Sequence, residues 1–302
     1  MRLVVAVLLV CAAPAARGST SIGSPLEGRL EGGVAVPLAA PGLRHDPRKD
    51  PERRYGTAEL VGALVRAAEA VRRALPGGEL TIADLSARSG GDLPGHASHR
   101  SGRDVDVTFY LLDGERRPAP GRAIPIEPDG HGTDYHDLED PADDERVLLD
   151  VARTWKLLEA LLLDGEAHLQ RIFVVEHVRA MLLEHARRSG APGAAVELFA
   201  EITCQPAFPH DDHLHLRVYC APEDVKAGCE DLPPIHPRHR RHLRAAGVEP
   251  KLARPRKGPR PALTSHADAR AAAGAMHADV AAFLERRATW LEQPHPGRRY
   301  CP

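Results

Sequence analysis

Hydrophobic residues along the chain follow two different repeats. In some segments Ala, Leu and Val recur at the spacing of one buried helix face, and in others they alternate with polar residues, as in a half-buried strand. The helical spacing predicts helices over residues 57–75, 147–163, 177–188, 193–202 and 268–291. Alternating or short apolar runs predict strands over residues 80–85, 104–111, 171–175 and 213–220. We therefore expect an α+β fold.

The pattern changes after about residue 230, where regular elements give way to a basic stretch. Residues 238–260 hold nine Lys and Arg against one Glu, together with several prolines, which is typical of a linker. We expect the tail histidines His236, His239 and His242 to be disordered among the arginines. The division that we predict is a signal peptide over 1–16, a folded body over 17–235, and a basic linker with a C-terminal helix over 236–302.

Composition and charge exclude several classes of protein. The 302 residues are 43% hydrophobic, which is enough for a core and excludes wholesale disorder. The formal net charge of −2 argues against a nucleic-acid-binding surface. The apolar runs all stop short of the roughly 18–20 residues that a membrane-spanning helix needs. We therefore expect no nucleic-acid partner and no membrane span.

The N-terminal residues have the pattern of an export signal. Arg2 provides a positive start, residues 3–13 are apolar but too short to cross a bilayer, and the small residues at 13–15 suit a cleavage site. A buried N-terminal strand is the alternative. We favour an exported protein, whose cysteines would lie in an oxidising compartment.

Removal of the signal would leave an even number of cysteines. Four cysteines allow two disulfides in any of three pairings. Cys220 and Cys229 are close enough in sequence to close a small loop, which would leave Cys204 to pair with Cys301. The three pairings stay open at this point. The chain contains no Cys-x-x-Cys pair, so a thiolate zinc cluster is not expected.

Two segments rich in histidine and aspartate carry the candidate chemistry. They are GHASHRSGRDVD at 95–106 and HDDHLHLR at 210–217. In a strand, alternate side chains share a face, so Asp104 and Asp106 would lie on one side of the first strand. His213, His215 and Arg217 would likewise share one side of the second, with leucines on the other. Side by side, the two strands would present imidazoles and carboxylates on one surface.

This arrangement is suited to a catalytic zinc ion, which needs three protein ligands and one open position. His99, Asp106 and His215 would supply two nitrogens and one oxygen, and the metal would make a water molecule acidic near neutral pH. His213 lies on the same face as His215, where it could take the proton of that water. We therefore hypothesise a zinc-dependent hydrolase.

The two segments also resemble a known family. GHASHRSGRDVDV is similar to the signature of the penicillin-insensitive murein endopeptidases, in which Gly-His-Ala-Ser-His is followed by Asp-Val-Asp. PHDDHLHLRVYC resembles the second motif of that family, His-x-x-His-x-His followed by an apolar residue and Arg. Ser19 to Ser24, Arg53-Arg54-Tyr55, and Cys220 with Cys229-Glu230-Asp231 also look familial. The resemblance covers roughly residues 19–235.

The resemblance implies an antiparallel sheet flanked by helices, as in the lysostaphin, D-Ala-D-Ala peptidase and hedgehog-like zinc fold, so the body over 17–235 would be a zinc endopeptidase domain. It implies a periplasmic enzyme that cleaves peptidoglycan cross-links between D-alanine and meso-diaminopimelate. The positions that match family zinc ligands are His99, Asp106 and His215. His213 matches a base or transition-state donor, His210 a further active-site residue, and His96 a second-metal position. In the family an Asp-x-x-His string after the first motif completes that second position. Here the stretch has Asp129-Gly130-His131 and Asp134-Tyr135-His136, neither of which has that spacing.

Two other functions fit parts of the pattern. A non-catalytic homologue would bind wall peptides and leave cross-linked muropeptides uncut. A non-haem iron oxygenase also uses two histidines and a carboxylate, and within the two motifs its usual His-x-Asp spacing occurs at His210-x-Asp212. Arg217 also has two interpretations, because it could pair with Asp104 or bind a substrate carboxylate through two hydrogen bonds.

Overall fold

The computed structural model describes residues 18–254, 265–292 and 301, so the predicted signal peptide lies outside the described residues. Within them, the chain forms eight α-helices: α1 (Ala58–Ala74), α2 (Val151–Leu162), α3 (Glu176–Arg188), α4 (Gly193–Ile202), α5 (Pro222–Ala227), α6 (Pro237–Ala245), α7 (His266–Ala273) and α8 (Ala278–Glu292). The strands are β1 (Thr20–Gly23), β2 (Gly28–Glu31), β3 (Val34–Ala35), β4 (Ala39–Ala40), β5 (Leu43–His45), β6 (Tyr55–Gly56), β7 (Leu80–Ile82), β8 (Asp104–Thr108), β9 (Leu111–Leu112), β10 (Pro118–Ala119), β11 (His131–Asp134), β12 (Glu145–Leu149), β13 (Leu169–Phe173), β14 (Thr203–Cys204) and β15 (His213–Val218).

One mixed sheet forms the centre of the fold. Across the described chain its strand order is β14-β13-β15-β8-β7-β5-β4. The central strands β13, β15, β8 and β7 run antiparallel to their neighbours in this group. However, β14 is parallel to β13, and β5 is parallel to β7. The expected α+β class is confirmed, but the expectation of an antiparallel sheet is wrong for these outer pairs.

Both parallel pairs arise where a helix carries the chain across the sheet. Helix α1 lies between β5 and β7 in sequence, and α3 and α4 lie between β13 and β14. A chain that returns through such a crossover enters the sheet in the same direction as before. The alternation of polar and apolar residues carries no strand direction, which is why the sequence pattern missed the parallel pairs.

Local capping explains where several helices begin. Thr57 accepts a hydrogen bond from the backbone N–H of Leu60 at 3.4 Å, and α1 starts at the next residue as expected. The predicted helix over 147–163 is wrong at its start, because residues 145–149 form β12. Asp150 then caps α2 by accepting from the backbone N–H of Arg153 at 3.0 Å. The predicted helix over 268–291 is two helices, interrupted at Gly274, where φ is 81°.

The apolar side of the central strands fills the main core. Val105 and Val107 of β8 and Leu214 and Leu216 of β15 are all 0% exposed, and they pack in one cluster with the buried faces of the helices. Burial of four such side chains is a strongly favourable hydrophobic contribution. It leaves the opposite, polar side of β8 and β15 free of core packing.

The segment after residue 235 is more ordered than its composition indicates. Residues 237–245 form α6, and Leu243 packs against the Cys220–Cys229 pair in a small second core. His239 is 2% exposed and stacks on Tyr219 at a ring distance of 3.9 Å. The expectation of disordered tail histidines is therefore wrong for His239. It is also wrong for His236, whose Nδ1 atom lies 2.7 Å from Oε1 of Glu201.

Two disulfides are formed among the described cysteines. They join Cys220 to Cys229 and Cys204 to Cys301, so the pairing that brings the two close cysteines together is confirmed. The second bridge connects the last part of the chain to β14. In the part of the chain that the structure describes, every helix is too short or too polar to traverse a lipid bilayer.

Candidate metal centre

Strands β8 and β15 place the two sequence motifs side by side. Their antiparallel register sets His215 opposite Asp106, and Arg217 opposite Asp104. Because alternate residues share a face, these four side chains lie on the polar side of the sheet. The valines and leucines between them lie in the core, so the site rests on a rigid apolar layer.

Asp106 lies at the centre of a group of imidazoles. Its Oδ1 atom is 3.4 Å from Nε2 of His99, 3.3 Å from Nδ1 of His215 and 3.6 Å from Nε2 of His213. Its Oδ2 atom is 3.6 Å from Nδ1 of His96. The structure thus brings together five of the six site residues that the sequence predicted, and it places them around one carboxylate.

The ring of His99 is held with one nitrogen directed at Asp106. His99 is 0% exposed and has the left-handed backbone conformation, with φ of 67°, which non-glycine residues rarely adopt outside strained or functional positions. Its Nδ1 atom is 2.6 Å from the carbonyl oxygen of Leu85. Because a carbonyl oxygen only accepts, Nδ1 carries the proton and donates it. The Nε2 lone pair therefore faces Asp106.

Asp104 orients His215 in a similar way. Its Oδ1 atom lies 3.0 Å from Nε2 of His215 and accepts a hydrogen bond from Nε of Arg217 at 2.6 Å. Burial raises the pKa of Asp104, but Arg217 and His215 outweigh burial and hold that pKa far below its usual range. The ionised carboxylate accepts from Nε2–H of His215, so Nδ1 presents its lone pair towards Asp106. Of the two interpretations of Arg217, the structure contains the pairing with Asp104.

The donor atoms around Asp106 fit a divalent cation. Nε2 of His99 and Oδ1 of Asp106 are buried and lack hydrogen-bond partners among residues 18–254 and 265–292. Burial lowers the pKa of His99, but the Asp106 and Asp104 charges outweigh burial and raise it, so Nε2 takes up a proton where no metal ion occupies its lone pair. Two imidazole nitrogens and one carboxylate oxygen that converge are a typical ligand set for zinc and related metals.

His96 forms a second side of the same cluster. Its Nε2 atom is 3.1 Å from Oδ2 of Asp84, and Lys49 donates to that oxygen at 3.0 Å. Burial raises the pKa of Asp84, but His96 and Lys49 lower it to about 2, so this carboxylate is ionised. One ligand atom each from His96, His99 and Asp106 lie within 4.8 Å of one another. His96 is therefore close enough to share a metal with His99 and Asp106.

His213 and His210 border the cluster on the side of the cleft. Nδ1 of His213 is 2.6 Å from Oδ1 of Asp212, which leaves Nε2 directed at Asp106. Burial lowers the pKa of His213, but Asp106 and Asp212 outweigh burial and raise it to about 9. His210 has a left-handed backbone with φ of 50°, and its ring centre is 4.8 Å from that of His213. Both rings line the space next to the donor atoms.

Comparison with known proteins bears directly on this arrangement. Residues 21–240 match the family model described as penicillin-insensitive murein endopeptidase. The chain belongs to this family. It is 28% identical over 226 residues to the penicillin-insensitive murein endopeptidase of Klebsiella pneumoniae subsp. pneumoniae, a match that covers 74% of each chain. It is also 28% identical over 228 residues to the protein of that name from Haemophilus influenzae, with 74% of this chain and 71% of the relative covered.

Membership of the penicillin-insensitive murein endopeptidases makes the chain an enzyme, a metallopeptidase that acts on murein. The family resemblance inferred from the two motifs is thereby confirmed. The matched range contains both motifs and every side chain described above. The group formed by His96, His99 and Asp106 could hold the metal ion of such an enzyme.

The candidate metal centre opens into a cleft of about 370 Å³, a size suited to small-molecule or peptide groups. The cleft is lined by Gly95, His96, Ala97, Ser98, His99, Asp106, Phe208, Pro209, His210, Asp211, Asp212, His213, His215 and Arg287. Sequence reasoning missed Arg287 of α8, because this residue lies far from both motifs and in a stretch whose composition indicated only a helix. It also missed Asp84, which is isolated in the sequence.

Proposed function

We propose that this murein endopeptidase is zinc-dependent and hydrolyses the peptidoglycan cross-link between D-alanine and meso-diaminopimelate. The observation that carries the zinc assignment is that Nε2 of His99 and Nδ1 of His215 both face one buried, ionised carboxylate, Asp106. Without a cation between them, two lone pairs and a negative charge would be turned towards one another. The cross-link assignment rests on the family resemblance of the two motifs.

We assign His99, Asp106 and His215 as the zinc ligands. His96 competes with His215 for this role, because His96 also lies close to His99 and Asp106. Both histidines have a carboxylate on their second nitrogen, Asp104 for His215 and Asp84 for His96, as is usual for a metal-bound histidine. We favour His215 because it is more deeply buried, at 7% exposed. The side chain of His96 is 19% exposed and borders the cleft, a place suited to substrate contact or to a second ion.

A zinc ion held by these residues would supply Lewis-acid polarisation of the scissile carbonyl and acidify a water molecule. The surrounding side chains transfer the proton, contact the substrate and orient the ligands. Asp212 holds Nδ1 of His213, so a proton is accepted or donated at Nε2 of His213, on the side of the cleft. His210 borders the same space and contacts the substrate. Burial lowers the pKa of His215 to about 3 and keeps the ring neutral, and Asp104 holds its Nε2–H so that Nδ1 faces Asp106.

We propose a periplasmic location, which the two disulfides support because such bridges persist in oxidising compartments. The substrate of the enzyme would then be the cross-linked muropeptides of the wall. Fractionation of cells that produce the full chain should recover it with periplasmic markers, with both disulfides oxidised.

The test of the activity is mass spectrometry of purified cross-linked muropeptides after incubation with the enzyme. We expect conversion of dimers to monomers by cleavage of the D-alanyl bond, loss of conversion with a chelator, and recovery with zinc. His215→Ala should convert no dimer, whereas His185→Ala, in α3 away from the cleft, should convert it normally. Uncut dimers would favour the wall-binding homologue, and oxygen consumption with iron would favour the oxygenase.

A further inference from the structure

Helix α8 reaches the active-site cleft from outside the part of the chain that matches the family. The family match ends at residue 240, whereas α8 spans Ala278–Glu292. Arg287 of this helix lines the cleft together with His210 and His213. Metal binding and proton transfer, as proposed above, involve other side chains.

Arg287 forms a two-point ion pair with Asp211. Its Nε atom donates to Oδ2 at 2.8 Å, and its Nη2 atom donates to Oδ1 at 2.7 Å. The Asp211 side chain is 1% exposed and that of Arg287 is 27% exposed. A paired guanidinium and carboxylate in this geometry fix both distance and orientation. Loss of the arginine would leave a buried carboxylate without its counter-ion, which is strongly unfavourable.

Asp211 lies in the middle of the segment that carries the proton-transfer group. It follows His210 directly and is separated from His213 by Asp212 alone. The backbone of this segment is held from the body of the protein, because the N–H of Ile126 donates to the carbonyl of Asp211 at 2.8 Å and that of Val175 donates to the carbonyl of His210 at 3.1 Å. The Asp211 side chain is held from the other side, by Arg287.

Helix α8 is itself anchored, so it can serve as a support. Val280 and Phe283 are 3% and 6% exposed, and the Phe283 ring packs against Tyr135 at 5.5 Å between centres. Arg286 donates to Glu127 at 3.1 Å through each of two nitrogens. Beyond the helix, Cys301 is bonded to Cys204.

We propose that Arg287 is a positioning residue for the catalytic reaction, and that the C-terminal helix therefore forms part of the active site. Arg287 acts through Asp211 to hold the His210–His213 segment, so that Nε2 of His213 stays directed at the reacting groups beside Asp106. This inference rests on the proposed role of His213. Small displacements of a positioned catalytic group are sufficient to lower a rate by orders of magnitude.

The test compares Arg287→Gln with Glu285→Gln in the full-length, zinc-loaded enzyme acting on cross-linked muropeptides. Glu285 is the control, because it is exposed on the same helix two residues before Arg287 and does not line the cleft. We expect Arg287→Gln to lower kcat by about 10- to 100-fold, with KM changed by less than about 3-fold and zinc content unchanged. Arg287→Lys, which retains the charge but loses the two-point geometry, should give an intermediate kcat.

Three outcomes would overturn the inference: a kcat for Arg287→Gln equal to that of Glu285→Gln, an increase in KM alone, or a loss of rate explained by loss of zinc. If Arg287→Gln does not fold, the double variant Asp211→Asn with Arg287→Gln tests the positioning role instead, because it removes the buried Asp211 charge together with its counter-ion. We expect it to fold with a reduced kcat, and a wild-type kcat would refute the positioning role. A wild-type enzyme that leaves dimers uncut would refute the proposed function instead.

Discussion

Asp104 has the largest influence of any single residue on how the metal-binding group is arranged. Its carboxylate accepts from the His215 ring, the Arg217 guanidinium and the backbone N–H of His99. It therefore orients two of the proposed ligands at once without touching the metal. Outer partners of this kind fix the tautomer and direction of metal-bound histidines.

Asp104→Asn should weaken zinc binding by about 10- to 100-fold, because the amide replaces the charge that holds His215. Competition with a chelator of known affinity measures this change. At saturating zinc, a large part of the activity should return, since the three ligands are intact. Asp113→Asn, which alters an exposed partner of Arg117, is the control and should bind zinc as the wild type does. Equal zinc affinity of both variants would contradict the orienting role.

At this scale, the sequence could predict which residues meet but not how each is held. Alternation along a strand was enough to place Asp106 with His215, because the side-chain period of a strand is two. The left-handed backbone of His99 and His210 depends on neighbours distant in sequence, such as Leu85 and Val175. The Asp104–Arg217 pair depends on strand register, which a single motif does not contain.

Among the secondary-structure elements, α5 shows how burial controls ionisation away from the site. Asp224 is 3% exposed on this helix. Burial and the nearby charges of Glu59 and Glu223 raise its pKa to about 7, against the opposing effects of the Ser21 backbone and Arg103. A carboxyl group in this position is protonated in the folded protein at a pH where the unfolded chain has already ionised.

The stability of the protein should accordingly fall as the pH rises from about 4 to 7, to the extent that Asp224 contributes. Below this range the carboxyl is protonated in both states, and above it the carboxyl is ionised in both. Asp224→Asn removes the contribution, so its free energy of unfolding should improve relative to wild type across this range, by no more than about 4 kcal/mol. Denaturant unfolding at several pH values measures it. Parallel curves would contradict the expectation, and Glu184→Gln, at an exposed position of α3, is the control.

The elements themselves were largely predictable, and the errors have physical causes. Helix α4 has the predicted bounds of 193–202 because both its caps and its apolar face are local. The start of α2 was misplaced because Val147 and Leu149 also satisfy strand alternation, and Asp150 then begins a new helix. The direction of β5 and β14 was not predictable, because it depends on the crossovers that precede β7 and β14.

For the whole molecule, the disulfide between Cys204 and Cys301 connects the C-terminal segment to β14, the strand at one edge of the central sheet. The two cysteines are 97 residues apart in sequence, so the bridge closes a long loop of the unfolded chain. Closing a long loop stabilises the folded state chiefly by restricting the unfolded one. It also keeps Cys301 beside β14.

Cys204→Ala combined with Cys301→Ala should lower the free energy of unfolding by about 2–4 kcal/mol. Denaturant unfolding of the oxidised proteins measures the change, with the Cys220–Cys229 bridge intact in both. If α8 supports the site as inferred, kcat should also fall. An unchanged unfolding midpoint would show that this bridge contributes nothing to stability.

The assembly of the molecule was the least predictable level. Residues 17–235 were expected to form the catalytic body, and that boundary stays a prediction. The composition of 238–260 indicated a linker, yet residues 237–245 fold as α6, because Leu243 and His239 find partners in the small second core and on Tyr219. Similarly, no local pattern connects Arg287 to Asp211, which are 76 residues apart.

The most direct test of the metal assignment is a crystal structure of the zinc-loaded enzyme with anomalous diffraction data at the zinc absorption edge. We predict an anomalous peak bonded to Nε2 of His99, a carboxylate oxygen of Asp106 and Nδ1 of His215, with the ion open to the cleft on its remaining side. An ion held by His96 without His215, or a peak remote from Asp106, would contradict the account.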